Sequence, residues 1–125
     1  MPRILIVDDA GEARAILAIA LSTIDGVTID TAESAERALQ SVAEASVDVL
    51  ITDVRMAGMD GFELLAVLRE RGQWPRCGAV VISGETDRDL PQRALESGAS
   101  AFFTKPFSAA EVRKRVVSLL GGGAA

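Results

Sequence analysis

Five side chains in this sequence carry chemistry that belongs together: the carboxylates of Asp8, Asp9 and Asp53, the hydroxyl of Ser83 and the ammonium of Lys105. Each ends or follows a short apolar run: Ile4-Leu5-Ile6-Val7, Val49-Leu50-Ile51-Thr52, Ala79-Val80-Val81-Ile82 or Ala101-Phe102-Phe103-Thr104. A run of that length, apolar almost throughout, reads as a strand buried on both faces. A polar residue at its carboxyl end leaves the sheet for the crevice where open parallel sheets bind ligands. Three carboxylates gathered there repel one another unless a cation joins them. Oxygen ligands with room left for water suit magnesium. A metal so held can keep a phosphoryl group over Asp53, and carboxylates do act as nucleophiles that form aspartyl-phosphates. Such transfer asks mostly for positioning and charge neutralisation. Lys105 brings a flexible positive charge to the same edge, and Ser83 a hydroxyl. Taken singly, each residue has a plainer explanation as a strand stop, a turn former or a solvated lysine. Their joint occurrence at the ends of four strands is the argument for a site.

The segments between these runs must return the chain to the same edge. From Glu12 to about Ile24, apolar residues fall at Ala13, Ile16, Leu17, Ala20, Leu21 and Ile24, a helical stripe. Val27 to Thr31 alternates and reads as an edge strand. Ser34 caps a helix with Ala35, Ala38, Leu39 and Val42 inward. Asp60 with Glu63, and Ser108 with Glu111, have capping-box spacing. They open helices carrying Leu64, Leu65 and Leu68, and Val112, Val116, Leu119 and Leu120. Between them a shorter helix carries Leu90, Ala94 and Leu95 and stops at Gly98. Because Pro91 is tolerated only in a helix's first turn, this helix should start late, near Asp89 or Leu90, leaving Gly84 to Arg88 as a mobile loop.

Strands alternating with helices predict an α/β fold with right-handed crossovers and helices on both faces. The common solution is flavodoxin-like: a three-layer, doubly wound parallel sheet of five strands in the order 2-1-3-4-5, with five helices. Its switch point lies between strands one and three, so Asp8, Asp9 and Asp53 should share one crevice.

The chain has 125 residues, enough for one domain with a real core, and neither an internal repeat nor a second domain is visible. We expect the domain over residues 1–120 and a flexible Gly/Ala tail over 121–125. A net charge of -5 and a pI near 4.7 argue against direct nucleic-acid binding. No apolar run approaches a membrane span and no signal peptide precedes the first strand. One cysteine, Cys77, excludes an internal disulfide and fits a cytoplasmic location. Without histidine, zinc and Ser-His or Cys-His catalysis fall away.

The features Ile6-Val7-Asp8-Asp9, Leu50-Ile51-Thr52-Asp53 with Met59-Asp60-Gly61, Val81-Ile82-Ser83-Gly84, and Gly98-Ala99 through Lys105-Pro106-Phe107 together make the chain resemble the receiver domain of two-component response regulators. The resemblance covers essentially the whole length and fits a stand-alone receiver. It implies that Asp53 accepts a phosphoryl group from the phosphohistidine of a sensor histidine kinase or phosphotransfer protein. It implies Mg2+ on Asp9 and Asp53, with Asp8 acting through water and Arg55 through its backbone carbonyl. Lys105 would contact the phosphoryl oxygens and Ser83 would hydrogen-bond the attached group. Phe102 takes the switch aromatic position, and Phe103 beside it reads as core. Arg55 and Glu85 take the positions that influence phosphoryl lifetime. The Lys105–Pro106 bond is implied to be cis. An output partner, or a second copy of the chain, would read the face of helix four, strand five and helix five. Such a module is a switch that promotes its own phosphorylation and dephosphorylation, not an enzyme acting on a separate substrate.

Ala57 stands where many members have Pro, which should loosen the loop after Asp53. Two other functions compete. A Mg2+-dependent phosphatase of the haloacid dehalogenase type also uses an aspartyl nucleophile and a lysine, but wants Asp-x-Asp after strand one, where this chain has Asp8-Asp9-Ala10-Gly11. A flavin or dinucleotide binder would share the fold, but neither G-x-G-x-x-G nor G-x-x-x-x-G-K-[ST] is present.

Overall fold

The computed structural model describes residues 1–84 and 89–121. Glu85, the rest of the segment expected as a mobile loop up to Arg88, and the tail from Gly122 onward lie outside the described residues. The elements alternate without exception: β1 (Arg3–Val7), α1 (Gly11–Leu21), β2 (Thr28–Ala32), α2 (Ala35–Glu44), β3 (Val49–Asp53), α3 (Gly61–Glu70), β4 (Gly78–Ser83), α4 (Leu90–Glu96), β5 (Ala101–Thr104) and α5 (Ala109–Leu120). The strands form one parallel sheet in the order β2-β1-β3-β4-β5, as the alternation predicts, with β2 at an edge.

Period-two alternation sorts the central strands between two cores. Ile4 and Ile6 of β1, Val49 and Ile51 of β3, and Val80 and Ile82 of β4 pack with Leu17 and Leu21 of α1 and Val112 and Val116 of α5. Their neighbours Leu5, Val7, Leu50, Ala79 and Val81 face α2, α3 and α4 through Ala38, Leu64, Leu65, Leu68 and Leu90. Burial on both faces is why these runs are apolar almost throughout. Each fully buried Leu or Ile contributes about 1.5–3 kcal/mol through area removed from water.

Helix starts follow their caps. Ser34 accepts from the Arg37 amide, and Asp60 and Glu63 form a complete capping box at α3. At α5, Ser108 accepts from the Glu111 amide, the forward half of the expected box. α4 starts at Leu90 with Pro91 in its first turn, as proline chemistry requires.

Three expectations for the helices need correction. α1 ends at Leu21, short of Ile24, because the Ser22 and Thr23 hydroxyls donate to the Ile19 and Ala20 carbonyls and Ile24 closes a turn back to Leu21. Ile16, expected inward, is 52% exposed, while Leu17 and Leu21 are buried. The i, i+4 pair Leu17–Leu21 faces the sheet, and Ile16, one residue back, is rotated off that line by the helical period. On α4, Leu90 and Ala94 are buried and Leu95 is exposed.

Candidate functional site

Strand register brings the site together. Val7 pairs with Thr52, so Asp8 and Asp53 leave adjacent strands side by side. Asp53 pairs with Ile82, and Ser83 with Thr104, so the next strand ends deliver Ser83 and Lys105 to the same edge. The Lys105 amide donates to the Ser83 carbonyl at 2.8 Å, extending the β4–β5 pairing one step into the crevice. The Lys105–Pro106 bond is cis.

Asp8 is 2% exposed, Asp53 6% and Ser83 fully buried, whereas Asp9 is exposed at the mouth. Lys105 Nζ lies 3.2 Å from Asp8 Oδ2 and 3.4 Å from Asp53 Oδ2, bridging the two buried carboxylates. Burial pushes the Asp53 carboxyl up to about 6, Asp8 adds like-charge repulsion, and Lys105 partly opposes both. Burial alone would push the Lys105 ammonium down. The Asp53 and Asp8 carboxylates outweigh it and hold Lys105 above its ordinary value.

Asp8, Asp9 and Asp53 each present an oxygen, and these atoms lie within 4.8 Å of one another. An all-carboxylate set, two members buried and Asp9 exposed, fits a small, hard divalent cation that keeps several waters. Arg55 follows β3 and is exposed. Phe102, half-buried on β5, packs against the core beneath α2, α3 and α4, while Phe103 packs against the α1–α5 core.

Three contacts here escape a reading by strand ends. Thr52 Oγ1 donates to the Asp53 carbonyl at 2.9 Å inside the core. Gly61 seats the start of α3 on the end of β3: its amide donates to the Val54 carbonyl at 2.9 Å, and a Cβ there would collide with the Asp53 carbonyl oxygen. Arg14, on α1, donates to the Asp8 carbonyl at 2.7 Å. A glycine at the first position of an otherwise well-capped helix was the available signal for Gly61, since glycine there weakens the helix unless close approach demands it.

The sequence profile described as "Response regulator receiver domain" matches residues 4–117. The transcriptional regulatory protein TcrA of Mycobacterium tuberculosis is 36% identical over 118 residues, covering 94% of this chain and 45% of that protein. The probable chemotaxis protein CheY of Rhizobium etli is 28% identical over 119 residues, covering 95% of this chain and 92% of that protein. Among solved structures, the Francisella response regulator 1452 receiver domain superposes with a TM-score of 0.88 at 25% identity, covering 98% of this chain and 99% of that one. The chain spans less than half the length of several curated relatives that it matches. The haloacid dehalogenase alternative finds no support in these matches, and Asp53, the carboxyl raised to about 6, stands at the end of β3, not β1.

Proposed function

This chain belongs to the response regulator receiver domain family, and from that premise we propose that residues 1–120 form a phosphorylation-operated switch whose acceptor is Asp53. The observation that carries the reading is one buried carboxylate at the end of a central strand, raised to about 6 and joined to a second buried carboxylate through Lys105.

The donor is a phosphohistidine of a sensor histidine kinase or phosphotransfer protein, met in the cytoplasm. One Asp53 carboxylate oxygen attacks phosphorus as the phosphorus–imidazole nitrogen bond breaks, its electron pair leaving with the imidazole. The product is an acyl phosphate on Asp53. Attack of water on the same phosphorus later returns the carboxylate and inorganic phosphate. Lys105 Nζ, already between the two buried carboxylates, draws the phosphoryl oxygens into line. The Ser83 hydroxyl hydrogen-bonds the attached group, a charge-assisted contact. Asp8, Asp9, Asp53 and the Arg55 carbonyl are the groups that would hold Mg2+, which when bound supplies charge neutralisation for the phosphoryl oxygens. Arg55 and Glu85, two residues beyond Asp53 and Ser83, set how long the phosphoryl group survives.

A donor helix finds an apolar landing beside the acceptor. Ile16 and Ile19 of α1 are 52% and 70% exposed. Ile16 borders a groove of about 290 Å³ that Ala10, Glu12, Ala13, Lys105, Pro106 and Phe107 also line, so Lys105 belongs to both groove and site. Output runs the other way. Ser83 moves toward the phosphoryl group and Phe102 rotates inward behind it. That changes the α4–β5–α5 face read by a partner or a second copy of the chain.

Incubation with Mg2+ and acetyl phosphate followed by intact mass tests the reading. A single added phosphoryl group, absent from Asp53→Ala, is expected. Continuous turnover of phosphate esters, or unchanged labelling of Asp53→Ala, would overturn it.

A further inference from the structure

Every polar atom of Asp8 is occupied. Its amide donates to the Ala32 carbonyl at 3.1 Å. Its Oδ1 accepts from the Ala10 amide at 2.9 Å, and its Oδ2 meets Lys105 Nζ at 3.2 Å. Its carbonyl accepts from Arg14 Nη1 at 2.7 Å. The first three partners are main chain or the site's own lysine. The fourth is a charged side chain from one turn into α1, half-buried, which reaches back over the helix start.

That reach has a physical basis. Helical side chains lean toward the amino terminus, so Arg14 points at the β1–α1 turn. Gly11 lies beneath it: a Cβ there would be 3.6 Å from Arg14 Nη2. A cation so near a helix amino terminus opposes the macrodipole, so α1 itself gains nothing from Arg14 there. The compensation is the charge-assisted bond to Asp8 and proximity to the acidic crevice. Without a cation bound, Asp8, Asp9 and Asp53 repel one another. The two buried carboxylates, Asp8 and Asp53, are tied by Lys105. Among the described residues no ion pair ties the Asp9 carboxylate, and its orientation follows that of the Asp8–Asp9 peptide whose carbonyl Arg14 holds.

We propose that Arg14 is a positioning residue for the cation site, clamping the Asp8–Asp9 turn so that both carboxylates keep facing Asp53. This rests on the reading of the crevice as a Mg2+ site. Outer contacts that orient ligands matter to affinity in proportion to the freedom they remove. A guanidinium is suited to the task because it donates in a fixed plane, whereas an ammonium donates without directional constraint.

Calorimetric titration of the full chain with MgCl2 alone tests it, on wild type and on Arg14→Met, Arg14→Gln and Arg14→Lys, each checked by circular dichroism and thermal melting. Arg14→Met should weaken Mg2+ binding about tenfold, with Arg14→Gln and Arg14→Lys, which keep a donor, recovering part of the loss. A helix-stabilising role alone would move the melting temperature and leave the Mg2+ affinity in place. Affinities within about twofold of wild type in folded Arg14→Met, or tighter binding once the competing positive charge is gone, would overturn the proposal. Wild type that binds no Mg2+ would overturn it together with the cation-site reading, so the two failures are told apart by the wild-type titration.

Discussion

Lys105 Nζ stands 3.4 Å from Asp53 Oδ2, yet Asp53 remains a carboxyl of about 6, so burial and the neighbouring Asp8 charge outweigh an ion pair in contact. The site keeps the Asp53 carboxyl in an environment hostile to charge, and Lys105 offsets that only in part. Added positive charge in the crevice shifts that balance toward the ionised form.

Carbon NMR of the Asp53 carboxyl in the metal-free protein should therefore titrate with a midpoint of about 6, well above the ordinary carboxylate value. Mg2+ should lower the midpoint, because a cation favours the charged form. Only the carboxylate attacks phosphorus, so labelling by acetyl phosphate at limiting Mg2+ should fall as pH drops through that midpoint. A midpoint near 4 without metal would contradict the burial argument.

The same shift makes Asp53 a cost to stability. Its folded value lies above its unfolded one, so between about pH 4 and 6 the native state binds more protons than the unfolded chain. Stability from this group therefore falls as pH rises through that window and stays reduced above it. Asp53→Asn removes the charge and should stabilise the protein near neutral pH by about 1–3 kcal/mol, the gain vanishing below about pH 4. Urea unfolding of both proteins at the two pH values measures it. Equal midpoints at neutral pH would show that Lys105 fully compensates the burial.

Gly61→Ala introduces a Cβ against the Asp53 carbonyl oxygen, a main-chain atom that cannot rotate aside. Either α3 or the end of β3 must shift. We expect a loss of about 1–3 kcal/mol in stability, typical of overpacking, and slower phosphorylation of the folded fraction than the stability loss explains. Wild-type rates at saturating acetyl phosphate and Mg2+ would show that the acceptor does not depend on this seat.

Amide NMR with Mg2+ and beryllium trifluoride, an acyl-phosphate mimic, tests the output route. Phe102 has no hydroxyl, so packing alone must hold its inward state, and the two states need differ by only a few kcal/mol for phosphorylation to shift their populations. Shifts should appear at Phe102 and along α4 as well as at the loop after Asp53. Changes confined to the loops around Asp53 would show that this receiver does not switch through Phe102.

What the amino-acid sequence determined by itself was whatever local physics dictates. Apolar runs such as Leu50-Ile51 announce buried strands because both faces of a central parallel strand exclude water. Ser34 and Asp60 announce helix starts because their side chains satisfy amides within three residues, and Pro91 fixes the start of α4 because it lacks one. The gathering of Asp8, Asp9, Asp53, Ser83 and Lys105 was legible too, since parallel crossovers return every strand's carboxyl end to one edge. Tertiary structure decided what depends on which surface meets which. Ile16 and Leu17 are equally apolar and one residue apart, and only the docking of α1 on β1 and β3 leaves one exposed and the other buried. The seat of Gly61 on Asp53 and the reach of Arg14 to Asp8 join residues whose side chains carry no mark of their partner. The raised pKa of Asp53 belongs here as well, because it answers to the burial and charge that surround the carboxyl in space, which its neighbours along the chain do not announce.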